Sequence, residues 1–374
     1  MKKDRPGLLH GVAAVLISVA ACSGAETTQP GSVSEPESTP PPRSGTYTRP
    51  FIWSPDAGIR EIVLPSTTSG GQAADINNSG EVVGWYASRT AIHAFIWSQD
   101  DGMLDMHPRT EFAETHSRAM AINDVGQVVI SLEIGWVGDA TYIWDGRWIP
   151  ISGDDFNTIP WGINNSGEIV GERFRDGGPF SDAFVWSLRS GLVALSSAYE
   201  YPRSRATGIN NTGKIVGFDA DGMSGSARSS TAVVWPRVAG GLSEVVGKGS
   251  EDGACARSWN PFEGPDNSCA ALVAAVNDAG EITGSIRRQA FRRKPGGETV
   301  FLSSAAESSH ATGINEKGDV VGYLISRSPM GVPYTTAFVW YSMGRIETLG
   351  TLRGTSSSVA TGINDHGQVV GYMK

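Results

Sequence analysis

From residue 51 to the C-terminus, short runs of alternating apolar and polar residues are separated by Gly, Asn, Asp and Ser. Period-two alternation broken by turn residues predicts short, half-buried strands joined by tight connections. Two landmarks recur within this pattern. The first is Ile-Asn-Asx-x-Gly-x-Val-Val-Gly, seen as INNSGEVVG from Ile76, INDVGQVVI from Ile122, INNSGEIVG from Ile163, INNTGKIVG from Ile209, VNDAGEITG from Val276, INEKGDVVG from Ile314 and INDHGQVVG from Ile363. The second is Ala-Phe-x-Trp or a variant of it, ending at Trp53, Trp97, Trp144, Trp186, Trp235 and Trp340, with a degraded AFRR around Phe291. The two landmarks alternate without exception, seven copies of each.

The landmark asparagines, Asn77, Asn123, Asn164, Asn210, Asn277, Asn315 and Asn364, are 46, 41, 46, 67, 38 and 49 residues apart. Such periods with strand-like units are those of propeller blades. Each unit reads as a meander: strand A ends at Ile-Asn, strand B at Val-Val-Gly, strand C at the Trp, and strand D follows a Gly-containing turn. In the A-to-B turn, Asn caps with its side chain and Gly supplies positive φ. The chain opens with a C and a D strand (TRPFIW, IREIVL) and closes with an A and a B strand (ATGIN, QVVGYM), so the two ends complete one blade and hide their edges. The expected fold is all-β: a seven-bladed β-propeller of four-stranded antiparallel blades, closed by pairing of N- and C-terminal strands.

Composition agrees with strands and turns: 47 Gly, 11 Trp and only 18% charged residues in 374. The net charge of −9 argues against nucleic acid as a partner. The N-terminus differs in kind. Lys2, Lys3 and Arg5 precede a short apolar run, Val12 to Ala21, too short to span a bilayer and suited to an export signal. Val19-Ala20-Ala21-Cys22 resembles a bacterial lipobox, which implies cleavage after residue 21, a lipid on Cys22 and a place in the cell envelope, the outer membrane or cell surface. Cleavage removes three basic residues and one acidic one, taking the charge from −9 to −11. Residues 22–50, rich in Pro, Ser and Thr, read as a tether, and residues 51–374 as the propeller.

His93-Ala94-Phe95, with ATGINDHGQVVGY and TLGTLRGTSSSVATGIN near the C-terminus, resembles the bacterial HAF repeat. The resemblance covers nearly all of residues 51–374. It implies an exported repeat protein and no particular activity. Two departures, Ile130 in place of Gly in the second landmark copy and Arg292-Arg293 in the sixth AFxW, suggest irregular blades there.

The chemistry-bearing motifs HExxH, GxSxG, CxxC and the EF-hand loop are absent from the sequence. No catalytic residue, metal ligand or cofactor is therefore assigned. Asp219 and Asp221 form half of a calcium-loop pattern, and His107 and His116 share a loop with Glu111 and Glu114; both read better as polar loops. Cys255 and Cys269, in one long insertion, suggest a disulfide in an oxidising compartment. The basic cluster Arg287, Arg288, Arg292, Arg293 and Lys294 reads as a solvated edge strand that could attract an anionic glycan or lipid.

In a meander the A-to-B and C-to-D turns share one end of the propeller, and the B-to-C and D-to-A connections share the other. The second set is long and varied, which makes it the expected binding face. Candidate contacts are Trp85, Tyr86, Trp136, Trp161, Arg173, Arg175, Tyr201, Arg203 and Trp259. The expected function is a cell-surface binding or scaffold module for a protein or polysaccharide, with a glycan hydrolase or lyase as the alternative. The chain is expected to be monomeric and to meet the membrane only through its lipid anchor.

Overall fold

The computed structural model describes residues 47–108, 115–134, 138–151, 157–175, 180–221, 230–236, 244–248, 271–302 and 304–374. They form seven four-stranded antiparallel sheets with no helix among the described residues. Six sheets follow chain order. The seventh is built from both ends, in the order Gly58–Glu61, Arg49–Ser54, Val369–Met373 and Ser358–Ile363, with Phe51 opposite Gly371. This is the expected closed propeller, and its first strand, Arg49–Ser54, takes in all but the Thr of the expected TRPFIW strand. We number the closing blade one and the others two to seven along the chain. Strand A is innermost in each.

Each landmark now has a physical reason. All seven A strands carry one extra residue relative to strand B, a β-bulge two positions before the Ile. Where that residue is Thr, its hydroxyl bridges blades: Thr207 Oγ1 donates to Val273 O, Thr312 Oγ1 to Ala360 O and Thr361 Oγ1 to Ala73 O. The following position is Gly or Ala in six of the seven blades, Asp75 being the exception, because neighbouring A strands approach closely there; a Cβ on Gly162 would lie 3.4 Å from Gly208 Cα.

The landmark Asn does more than cap its own turn. In blade four, Asn164 Oδ1 accepts the N–H of Ser166 and of Glu168, while Nδ2 donates to the backbone oxygen of Asn210 in the next blade. The same inter-blade bond runs from Asn77 to Asn123, then through Asn164, Asn210, Asn277, Asn315 and Asn364, and returns to Asn77. The ring joins the two ends of the chain. It also explains the residue type: all seven asparagines are buried, and an amide offers an oxygen to its own turn and, from a separate atom, N–H donors that reach its neighbour.

The AFxW landmark supplies the core between blades. Phe51, Phe95, Phe184, Phe291 and Phe338 are fully buried, and the Trp positions are buried or half-buried. The Ala of this motif gives its N–H to a Ser hydroxyl at the start of the next A strand, as in Ala94 to Ser117, Ala183 to Ser204, Ala290 to Ser309 and Ala337 to Ser358.

Blades three and six, expected to be irregular, keep the full strand set and register. In blade three, Ile130 is wholly buried, and its cross-strand partner is Tyr142, a half-buried residue that packs edge-on against Trp148. In blade six, Arg292 lies over the Trp340 ring at 5.0 Å and donates to Gly318 O and Ser342 O, while Arg293 pairs with Glu244. These arginines are pinned to neighbouring blades, so the basic cluster of the sequence is not one solvated strand.

Candidate functional site

The two ends of the propeller differ in what they present. At the end made by the A-to-B turns, the landmark Ile (Val276 in blade six), its Asn and the acidic or amide residue after it from all seven blades line a bowl of about 210 Å³ at the channel mouth. Its rim is a second ring. The backbone N–H of each of these residues donates to the side chain of the next: Asn78 to Asp124, then Asn165, Asn211, Asp278, Glu316, Asp365 and back to Asn78. Burial first, then Asp278 and Asp365, raise the Glu316 carboxyl. Because these side-chain oxygens already receive a neighbour's N–H, the bowl reads as construction. No group of three or more metal-ligating side chains occurs among the described residues.

The opposite end, where strands A begin and strands B finish, holds the candidate contacts from the sequence. Trp85 is half-buried, with the Arg118 guanidinium 5.8 Å from its ring. Trp161, also half-buried, is the bulge residue of blade four and carries Arg205 at 4.4 Å from its ring. Both arginines occupy one position, four residues before the landmark Ile. Arg118 pairs with Glu133 at 3.5 Å, and Arg205 with the buried Glu172. Burial lowers the Arg205 guanidinium to about 10, against the pull of Glu172. Asp139 faces Glu133 across strands B and C of blade three; burial first, then Glu133, raise its carboxyl, with Glu172 adding to the effect. An aromatic and charged strip thus runs over blades two to five on the variable face.

Other candidates separate from this strip. Tyr86 is buried with its hydroxyl 3.1 Å from Asp105, so it supports the fold rather than the surface; burial and Asp105 raise its pKa. Arg175 is exposed but held by Asp182 at 2.5–2.6 Å. Arg203 and Tyr201 are exposed, and Tyr201 leans on Phe180 with ring centres 5.4 Å apart. Arg173 lies cross-strand from Thr158 at the end of strand B in blade four. Trp136, Trp259, the Cys255–Cys269 pairing, Glu111, Glu114 and Cys22 lie outside the described residues.

The histidines are also placed. His107 stacks on His93 at 4.3 Å and bonds Ser117 Oγ at 2.8 Å, and His93 meets Asp105 at 2.9 Å. Burial first, then His93, lower the His107 pKa. His116 Nδ1 accepts the Ile92 N–H. Asp219 is buried and accepts bonds from Ser197 and Ala198, which explains the half-pattern around it as local structure.

Sequence reading missed Arg118, Glu133, Asp139, Glu172 and Arg205. Superposing the seven A strands on their landmark Ile would have found both arginines, since they share the position filled elsewhere by Gln72, Ile159, Leu272, His310 and Val359.

No family model matches the chain, and no curated protein matches it by sequence. Solved structures similar to it include virginiamycin B lyase from Staphylococcus aureus, with 10% identity, TM-score 0.46 and coverage of 87% of this chain and 99% of that one. The fucose-specific lectin from Aleuria aurantia shares 14% identity over 78% and 98% of the two chains, TM-score 0.39. The SapL1 lectin in complex with alpha methyl fucoside shares 15% over 74% and 94%, TM-score 0.41. The seven four-stranded sheets themselves make the chain a seven-bladed β-propeller.

Proposed function

We propose that the chain is an exported, Cys22-anchored module of the HAF-repeat type that binds polysaccharide through its variable face. The observation that carries this reading is the strip on that face. Two half-buried indoles, Trp85 and Trp161, are each held by an arginine whose charge is answered by a glutamate. Sugar rings stack their C–H faces on indoles and bond their hydroxyls to fixed charged groups, and such a strip offers both. The test is to pass the organism's own envelope and secreted polysaccharides over the immobilised full chain. Saturable retention that falls at least tenfold in Trp85→Ala, with an unchanged unfolding midpoint, supports the reading. A polysaccharide bound equally by wild type and variant overturns the assignment of the strip, and binding of cell-surface proteins alone overturns the ligand class. Loss of palmitate labelling in Cys22→Ser tests the anchor separately.

A second reading, a glycan hydrolase or lyase, gains one observation: Asp139 is shifted toward its protonated form by burial first, with Glu133, its cross-strand partner, and Glu172 adding to the shift. A carboxylic acid beside a carboxylate is the pairing that acid and base chemistry on glycans requires. Shortening of a retained polysaccharide, abolished in Asp139→Asn, is the result that favours it.

A further inference from the structure

On the variable face, the B-to-C connection of blade six is a two-residue hairpin: Ile286 pairs with Gln289, leaving Arg287 and Arg288 as the turn. Both have left-handed backbones, with φ of 50° and 68°. This is the geometry of a type I′ turn, which Asn-Gly adopts readily and long side chains do not. At the opposite end, every residue with positive φ among the described residues is glycine. The three that are not glycine, Asn157, Arg287 and Arg288, all belong to the variable face. Strained backbone kept where an easy alternative exists points to a use for the side chains.

The two arginines are exposed at the turn, and Arg287 forms no ion pair among the described residues. A third cation, Lys248, ends the strand that packs against the base of the turn. A Cβ on Gly247 would lie 2.5 Å from Ile286 Cδ1, so the end of strand D in blade five abuts the base of the turn, and exposed Lys248 comes next. The turn's backbone is fixed to blade seven, because Arg288 O accepts the Ser309 N–H at 2.9 Å. A basic point on a rigid base is unusual in a chain of net charge −9.

We infer that the Arg287–Arg288 turn, with Lys248, is an anion-binding element, and that the polysaccharide taken by this face carries carboxylate or sulfate groups. The inference rests on the polysaccharide-binding reading above. Guanidinium groups match the planar oxygens of carboxylate and sulfate in paired hydrogen bonds, whereas a neutral sugar gains little from two adjacent cations. A membrane surface is the less suitable occupant, because no large apolar side chain is exposed on the turn to enter a bilayer.

The experiment titrates the full chain with polygalacturonate, dextran sulfate, neutral dextran, inorganic phosphate and phosphatidylcholine–phosphatidylglycerol vesicles. The key variant, Arg287→Asn with Arg288→Gly, installs the favoured turn and removes both charges. Its control, Arg147→Gln with Arg189→Gln, removes two charges at the other end. The expected result is binding of polygalacturonate or dextran sulfate that weakens with salt, falls at least tenfold in the turn variant and is unchanged in the control. The turn variant should also melt higher, by ~2 °C. Equal binding of neutral dextran, with no loss in the turn variant, overturns the anion element and leaves polysaccharide recognition standing. Binding of none of the polysaccharides overturns both. Binding of vesicles or phosphate alone overturns the ligand class, and a turn variant that melts lower shows that the arginines serve the fold.

Discussion

The two ends of this propeller solve different problems with the same strands. At the A-to-B end, one asparagine per blade repeats one bond pattern seven times, and its left-handed turn positions are glycine. At the other end, equivalent strand positions carry Gln72, Arg118, Arg205, His310 or aliphatic residues, and left-handed backbone is tolerated at Asn157, Arg287 and Arg288. Uniformity is what a closing ring needs, because each blade must be both donor and acceptor to a neighbour of the same kind. Variation is what recognition needs, and the rigid ring beneath allows it.

The comparison can be broken first at the variable end. Arg205 and Glu172 are both buried, so Arg205→Leu leaves a carboxylate without its partner and should destabilise the protein by about 3 to 5 kcal/mol in urea unfolding. Changing both residues to Leu should recover most of that loss. If the double variant is as unstable as the single one, the pair is not an isolated exchange of charge for packing. At the constant end, Asn164→Ala removes the acceptor of two N–H groups and the donor to Asn210, a cost of about 2 to 3 kcal/mol. The corresponding rim change, Asn165→Ala, loses the exposed side-chain oxygen that accepts the Asp124 N–H and should cost about 1 kcal/mol or less. Equal costs at the two positions would deny that burial separates the inner ring from the rim.

Blade three offers a smaller test of how the repeat tolerates exceptions. Ile130→Gly and Tyr142→Phe each move one partner toward the residue found in other blades. Together they should cost less than the sum of the two single changes, with a coupling of about 1 kcal/mol, because Phe can occupy the space Ile130 leaves. Additive costs would mean that the two substitutions arose independently.

The copy number, the strand order and the closing blade were legible because Asn and Gly stand at the same places in every unit, Trp in six of the seven, and the two chain ends hold complementary halves. The inter-blade bond was not legible. Asn77 and Asn123 are 46 residues apart and Asn210 and Asn277 are 67, yet the contact is the same, since insertions leave through the loops and do not alter the inner strands. Tyr86 misled as an exposed aromatic because strand B runs on beyond Gly84 and turns that ring toward Asp105. Arg118 and Arg205 were overlooked because a lone Arg in a strand carries no motif; its meaning lies in the indole of the preceding blade.

Two titrating groups on A strands give the finest test, with opposite signs. Asp75 occupies the small-residue position near the channel and accepts the N–H of Ile76 and of Ile122; desolvation nonetheless raises its carboxyl to about 6. The folded state then holds its proton more tightly than the unfolded state, so this residue lowers stability as pH rises from about 4 to about 6. His310 is buried and stacked on Tyr323 at 5.0 Å, and burial with Arg288 nearby lowers it to about 4. Here the unfolded state binds the proton first, so stability falls as pH drops from about 6.5 toward 4. Between pH 4 and 6 the two slopes oppose one another. Asp75→Asn should make the wild-type curve fall more steeply on acidification, and His310→Phe should make it flatter or reverse it. Midpoints of urea unfolding at pH 4.5, 5.5, 6.5 and 7.5 decide the matter. If both variants shift the curve in one direction, one of the two groups titrates in the folded state as it does in water.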